Sequence, residues 1–214
     1  MTSTLNQLET DTWLITTWDE YAQAIETPAA DKYRCYYHAG KMRIETMPIG
    51  ADHSRVHALI LFAISLFSTL NGIALTENDN CSYQRTGIEE FQPDLSYYSG
   101  DNAEIIPWGT RIVDLNLYPV PDLAIEIADT TLKDDQGEKR LLYEEVGGQE
   151  YWVVNVQTCE ILAFAIANQG SRRIRTSQVV SGLAIEQLEE ILKRGKTSGL
   201  TEARTWLLQQ LRPE

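Results

Sequence analysis

The chain has 214 residues, of which 43% are hydrophobic and 23% are charged, a balance typical of a globular protein with a sizeable core. Its formal net charge of −13 disfavours non-specific binding to nucleic acid, because such binding draws on clustered Lys and Arg. Neither a secretory signal nor a run approaching the ~18 apolar residues of a membrane span is evident, so we expect one domain over residues 1–214 and no membrane partner.

The first predicted elements are a short helix, a hairpin and a long helix. Thr17 and Glu20 have the spacing of a capping box, which predicts a helix running to about Glu26. Two strand-like runs, YRCYYH and KMRIET, flank a turn at residues 39–40. Apolar residues then recur at helical spacing from Val56 to Leu70, which predicts the longest helix.

The rest of the chain reads as strands, one internal helix and two terminal helices. The strand-like runs are GIALTE, CSYQRT, PDLSYYSG, RIVDL, YPV, PDLAIEIA, EYWVVNVQ, EILAFAIA and RRIRTSQVV. The internal helix is DDQGEKRLLYEEV, and the amphipathic terminal helices span about 183–211. This order predicts a mixed α/β (α+β) fold, with a central mixed sheet over about 30–180 flanked by helices.

The cysteine and arginine patterns indicate no special chemistry. Cys35, Cys81 and Cys159 are odd in number, widely spaced and without a C-x-x-C pair, so we expect reduced thiols in the cytoplasm. The one basic cluster is SRRIR, residues 171–175, which we interpret as a solvated strand or turn. The overall acidity therefore still weighs against a nuclease.

Two acids lie in an otherwise apolar strand. Alternation places Asp122, Ala124, Glu126 and Ala128 on one face and the intervening apolar residues on the other. Four residues of strand separate the two acids by about 13 Å, too far to share one metal. A strand-interior Glu beside alanines is costly unless a partner compensates it, so Glu126 is the candidate functional acid. Asp122 is interpreted as a strand-start or turn residue.

A second Pro-Asp pair offers a partner for Glu126. If the strand after Asp94 lies antiparallel beside residues 121–128, Asp94 faces Glu126 and Asp122 lies near Tyr98. Asp94 with Glu126 could then hold a divalent ion. Lys139 falls inside the apolar stripe of the following helix, where a lysine either snorkels to water or points at an anionic group. Tyr143 lies one turn further on and is expected to support the site or pack in the core.

His53 and His57 form an i, i+4 pair in H-S-R-V-H. A zinc protease would need Glu at position 54 and a third ligand, so zinc is rejected. His53 is expected to lie near the acidic site. We interpret it as a residue at the helix start that makes a structural hydrogen bond.

The segment PDLAIEIADTTLKDDQGEKRLLYEEVGGQEYWVVNVQ resembles the signature block of the Uma family of restriction-endonuclease-like proteins. GKMRIETMPIGADHSRVHALI, QPDLSYYSG and IPWGTRIVDL are also similar, so the resemblance covers roughly residues 15–190. It implies a restriction-endonuclease-like core of the PD-(D/E)XK nuclease superfamily, with an N-terminal helix and hairpin and C-terminal helices.

The resemblance also implies roles for particular residues. Asp94 would be the first metal-binding acid, and Glu126 the acid of the (D/E)XK element. The lysine of that element would stand at position 128, which here is Ala128, and the family supplies it from the next helix as Lys139. Glu45 is the candidate for a further acid from the first part of the chain.

Two functions remain open at this point. The first is a nuclease that uses Mg²⁺ or Mn²⁺ held by Asp94 and Glu126, with Lys139 positioning the attacking water and with DNA favoured over RNA as substrate. The second is a catalytically inactive interaction or scaffold module on the same fold, possibly a homodimer, because fold alone does not establish activity.

Overall fold

A computed structural model describes residues 9–26, 33–46 and 50–211. Its backbone contacts divide the chain into two compact units, and each unit has its own six-stranded sheet. The first comprises Met1–Ile49, Cys81–Gln92 and Trp108–Pro119, and the second comprises Gly50–Asn80, Pro93–Pro107 and Val120–Glu214. The single domain over residues 1–214 stays a prediction.

The described part of the first unit contains a helix and a sheet with strand order β1-β3-β2-β6-β5-β8. The capping box predicted at Thr17 and Glu20 is present and starts the helix. The predicted hairpin is confirmed, and its turn places Ala39 and Gly40 at φ of 48° and 72°. The elements are β1 (Trp13–Ile15), α1 (Trp18–Ile25), β2 (Tyr33–His38), β3 (Lys41–Thr46), β5 (Tyr83–Arg85), β6 (Glu89–Phe91) and β8 (Val113–Asp114).

The second unit is a mixed sheet with strand order β12-β11-β10-β9-β7-β4. Strands β9 and β10 are parallel, and the other neighbours are antiparallel. The strands are β4 (Leu75–Asp79), β7 (Leu95–Ser99), β9 (Leu123–Ala128), β10 (Glu150–Asn155), β11 (Ile161–Ala167) and β12 (Gly170–Arg173). The helices are α2 (Ala51–Leu70), α3 (Leu132–Gln136), α4 (Glu138–Val146), α5 (Ile185–Ser198) and α6 (Leu200–Gln210).

The main hydrophobic core of this unit lies between the sheet and helices α2, α5 and α6. Leu123, Ile125 and Ile127 of β9 contribute one face of the strand to it, as alternation predicts. Helices α3 and α4 contact the sheet at β9, β10 and β12. The predicted mixed α/β architecture, a mixed sheet flanked by helices, is confirmed.

Helix α2 is long and apolar enough, by length and composition alone, to cross a membrane. The expectation that no run approaches that length was therefore wrong. The polar residues of this helix are concentrated near its start, and the rest is as apolar as a membrane-spanning helix. Leu59, Ile60 and Ile64 are at most 1% exposed and belong to the main core, as in the core helix of a globular unit.

Several predicted elements differ from the observed ones. RRIRTSQVV is a strand only as far as Arg173. Further along, Glu150 accepts the N–H groups of Gln178 (2.6 Å) and Val179 (3.3 Å), so these two residues are not available for strand pairing. The helix predicted over 134–146 is divided at Gly137, whose φ and ψ of −105° and −106° are not helical. YPV forms no strand, and β6 was not predicted.

Glu189 of α5 ties this helix to two strand segments. Its Oε1 accepts the N–H of Ile161 (3.0 Å), and both oxygens accept from Arg175 (3.1 and 2.9 Å). Burial raises the pKa of Glu189, but these hydrogen bonds outweigh burial and leave the pKa below its ordinary value. A carboxyl with a lowered folded pKa stabilises the fold above its unfolded pKa and loses that contribution as the pH falls through its folded pKa.

Replacing Glu189 with Gln should therefore lower the free energy of unfolding at neutral pH by on the order of 1 kcal/mol. The difference from wild type should shrink as the pH falls below about 4.3, where the carboxyl is protonated in the unfolded chain. Urea titrations at pH values above and below that range measure both effects. Glu186→Gln, an exposed position on the same helix, is the matched control and should change little; a pH-independent loss would contradict the prediction.

Candidate active site

Asp94 and Glu126 meet because strands β7 and β9 are antiparallel neighbours. The register pairs Leu95 with Ile125 and Ser96 with Ala124, so the next step places Asp94 opposite Glu126. Opposed residues of an antiparallel pair share a face with their Cβ atoms about 5 Å apart. Both side chains are only 2% exposed. The predicted pairing of these strands is confirmed.

Glu126 is held by two side chains of α4. Lys139 Nζ lies 3.4 Å from its Oε2, and the Tyr143 hydroxyl donates to its Oε1 at 3.0 Å. All three residues are buried. Lys139 and Tyr143 are four residues apart and so project from one face of the helix. The structure thus brings the predicted acid and the predicted lysine together, and Tyr143 binds the same carboxylate.

Asp135 of α3 is a buried partner of Lys139 that was not predicted from the sequence. Its Oδ1 lies 3.0 Å from Lys139 Nζ, and the side chain is fully buried. Asp135 is itself held by the Thr131 hydroxyl and by Tyr151, which donates to its backbone oxygen at 2.8 Å. The i, i+4 spacing from Asp135 to Lys139 was the available signal. The amine therefore lies between two carboxylates.

Asp94, the second acid of the Asp94–Glu126 pair, is held by a backbone N–H group and by His53. Its Oδ2 accepts the backbone N–H of Ile127 at 2.7 Å. His53 Nε2 lies 3.3 Å from its Oδ1, so the expected position of His53 beside the acids is confirmed. His57 Nε2 lies 3.1 Å from the backbone oxygen of Asp94 and 3.3 Å from Asp79 Oδ1. Both histidines of α2 thus face the start of β7.

Asp122 makes structural hydrogen bonds at the opposite end of β9. Its Oδ2 accepts from the backbone N–H (2.8 Å) and the hydroxyl (3.2 Å) of Ser99, and its Oδ1 accepts from Gln149 at 2.6 Å. These bonds tie the end of β7 and the turn before β10 to β9. The interpretation of Asp122 as a structural residue at a strand start agrees with this geometry.

Glu45 belongs to the first unit, where it lies on β3. Its side chain is buried, and Arg43 Nε donates to its Oε1 at 2.9 Å. Its role as a further acid of the site stays a prediction.

The Asp94–Glu126 pair offers carboxylate oxygens, the type of ligand that a magnesium ion takes. Within residues 9–26, 33–46 and 50–211, no cluster of three or more His, Cys, Asp or Glu side chains could hold a metal ion. Mg²⁺, however, takes oxygen ligands and keeps several waters, so one or two carboxylates are enough. Two buried carboxylates facing each other on one sheet face fit that requirement.

The sequence matches the model of a family described as putative restriction endonuclease, Uma2, over residues 18–199. The chain belongs to the Uma2 family. The match spans most of the chain, including β7, β9 and the helix that carries Lys139. The resemblance noted from the sequence is confirmed.

A solved structure supports the fold of this Uma2 protein. It is a crystal structure titled as a putative nuclease belonging to DUF820 from Anabaena variabilis, with 20% sequence identity and a TM-score of 0.55. The alignment covers 82% of this chain and 98% of that one. The chain thus has the restriction-endonuclease-like fold. No curated protein matches the sequence.

The hydrogen bond from Tyr143 to Glu126 can be tested by removing one hydroxyl. Tyr143→Phe leaves a buried carboxylate oxygen without this donor and should lower the free energy of unfolding by about 1.5–3 kcal/mol. Tyr97→Phe is the matched control. Its hydroxyl is buried and has no hydrogen-bond partner in the described part of the chain, so its removal should be neutral or stabilising. Chemical denaturation measures both variants, and equal losses would contradict the assignment.

Proposed function

We propose that this Uma2 protein is a divalent-metal-dependent nuclease of the PD-(D/E)XK type that hydrolyses phosphodiester bonds, with DNA favoured over RNA. The observation that carries the proposal is the position of Lys139, whose amine lies 3.4 Å from Glu126 and is 1% exposed. A buried lysine is costly unless it is paired, and here its partners are Asp135 and Glu126, of which Glu126 is one of the two facing acids. The description of the family as putative restriction endonuclease supports the same class of reaction.

Asp94 and Glu126 are the residues that would hold the ion. When bound, Mg²⁺ or Mn²⁺ would act as a Lewis acid that offsets negative charge on the phosphate oxygens. The Ile127 N–H and the Tyr143 hydroxyl each hold one carboxylate in place, so these oxygens need little reorganisation. His53 adds a third fixed contact at Asp94 Oδ1.

Lys139 supplies the positive charge of the protein itself at this site. Its ammonium can donate a hydrogen bond to the attacking water and orient it, or donate to the phosphate as negative charge develops. A donor fixed in a buried site is worth more than one in water, because the local dielectric is low. Asp135 keeps the amine in place at 3.0 Å, so its position is set before any substrate binds.

The proposal predicts metal-dependent cleavage that depends on Glu126 and Lys139. Wild type with Mn²⁺ or Mg²⁺ should cleave plasmid or single-stranded DNA, and Glu126→Gln should abolish the cleavage. Lys139→Met should lower the rate by ~10²–10³-fold, the cost of losing one positioned donor. Gel-based cleavage assays measure the rates.

Glu145→Gln, an exposed position on α4, is the matched control and should retain wild-type activity. Cleavage by wild type and Glu126→Gln alike would indicate a contaminant. Cleavage by neither protein on single-stranded or duplex DNA or RNA would overturn the proposal.

A second expectation concerns metal binding without substrate. A ligand that binds only the native state at about 100 times its Kd stabilises by ~2.7 kcal/mol, which raises the Tm of a chain of this size by about 5–10 °C. Mn²⁺ should produce such a rise in wild type and none in the Asp94→Asn, Glu126→Gln double variant. Calorimetry with EDTA as the reference measures the shift. An equal rise in both proteins would place the ion elsewhere.

A further inference from the structure

A cavity of 280 Å³ lies in the second unit, where the start of α2 and the end of α5 meet the turn between β10 and β11. Its apolar wall is formed by Val56, Leu59, Val156, Leu192 and Leu200. These side chains belong to the main hydrophobic core or pack against it. The cavity is therefore a gap at one end of that core, where the lining side chains lack the packing contacts of a filled interior.

Gly195 of α5 contributes to the shape of this wall. A Cβ atom at this position would come within 2.8 Å of Leu59 Cδ2 and 3.3 Å of Leu200 Cδ2, so a larger residue would displace these leucine side chains. Glycine inside a helix is destabilising relative to alanine, and Gly195 lies within the helix Ile185–Ser198. The residue thus lowers helix stability and leaves the two leucines in their places at the cavity.

The mouth of the cavity carries charged side chains. Asp52, Arg55 and Lys196 are exposed residues of its lining. Asp52 and Arg55 pair with each other at 3.0 Å, so their charges largely cancel. Within residues 9–26, 33–46 and 50–211, no carboxylate lies within ion-pair distance of Lys196. The net charge at the mouth is therefore positive and comes from one ammonium group.

Backbone carbonyls hold Lys196 at the edge of the cavity. Its Nζ donates to the backbone oxygens of Gln157 at 2.7 Å and Val156 at 3.5 Å, and Val156 is part of the apolar wall. An ammonium group has three N–H donors, so the third can donate to a ligand. Burial raises the pKa of the Cys159 thiol in the same wall, while Lys196 and then Lys193 lower it in part. The charge of Lys196 therefore acts on groups that line the cavity.

We propose that this cavity binds a small apolar carboxylic acid, whose hydrocarbon chain lies in the cavity and whose carboxylate pairs with Lys196. An apolar cavity of about 150 Å³ binds benzene, so 280 Å³ has room for about ten non-hydrogen atoms, the size of octanoate. Small-molecule sites combine an apolar lining with a few polar groups that fix the orientation of the ligand. Neither Glu126 nor Lys139 lines the cavity, so this inference does not rest on the proposed function.

The role of Lys196 can be tested by isothermal titration calorimetry with octanoate and octan-1-ol, which share one chain and differ in charge. Wild type should bind one octanoate with a Kd below about 1 mM. Lys196→Met should weaken octanoate binding by about 2–5-fold, the range of an exposed ion pair, and leave octan-1-ol binding unchanged. Lys193→Met is the matched control, because Lys193 is exposed one turn earlier on α5 and does not line the cavity. It should have a smaller effect on octanoate.

The location of the ligand can be tested by filling the cavity. Val56→Phe adds a ring to the wall from a half-buried position and should abolish the binding of octanoate and octan-1-ol alike. Gly195→Ala displaces Leu59 and Leu200 and should weaken both ligands. Alanine is the better helix former, so this second variant keeps the test decisive where Val56→Phe fails to fold. Circular dichroism melting curves show which variants are folded.

Three outcomes would contradict the inference. Wild type that binds neither octanoate nor octan-1-ol would overturn it. Unchanged octanoate binding in the folded filling variants would place the ligand outside the cavity and overturn it as well. Equal losses in Lys196→Met and Lys193→Met would indicate general charge attraction and reject the pairing of the carboxylate with Lys196. The titrations contain neither metal nor nucleic acid, so their result is independent of whether the protein cleaves DNA.

Discussion

The ion pair between Lys139 and Glu126 is the interaction on which the candidate site depends. Taking an ammonium and a carboxylate out of water costs several kcal/mol per ion, and mutual attraction offsets this only with good geometry and further hydrogen bonds. The structure supplies them through Tyr143 on the carboxylate and Asp135 on the amine. Such an arrangement is a weak source of stability. Its value lies in a fixed charge distribution at one place on the sheet.

The sheet and the helices each supply part of this site. The antiparallel pairing of β7 and β9 brings two acids together from positions far apart in the chain. The apolar face of β9 fixes the orientation of the strand, because a slip by one residue would turn Glu126 into the core. Helix α4 then closes over the opposite face. The same helix places Arg140 over the ring of Phe164 on β11.

Much of this arrangement could be predicted from local patterns. Alternation along β9 identified the face of Glu126, and the helical period placed Lys139 among apolar neighbours. Strand direction alone was enough to choose Asp94 over Asp122 as the partner. Asp135 was not predicted, because an acid near the start of a helix is ordinarily explained by the helix dipole, and its contact with Lys139 spans the break at Gly137.

Other features depend on contacts that no local pattern contains. The chain after β12 is held by Glu150, a residue more than twenty positions earlier, which accepts the N–H groups of Gln178 and Val179. The grouping of β5, β6 and β8 with the N-terminal hairpin follows from long-range strand pairing. Periodicity describes which side of an element is apolar, and it does not specify what lies against that side.

The amine of this site comes from a helix, and this affects how the site can change during evolution. In a strand, a lysine at position 128 would be fixed relative to the carboxylates by the same backbone hydrogen bonds that build the sheet. Here Ala128 fills that place, and the amine depends on a separate element that begins after a glycine. Substitutions in this segment can therefore withdraw or redirect the amine while the acids stay where they are, so an active enzyme and an inert binding protein could be separated by few mutations on an unchanged sheet.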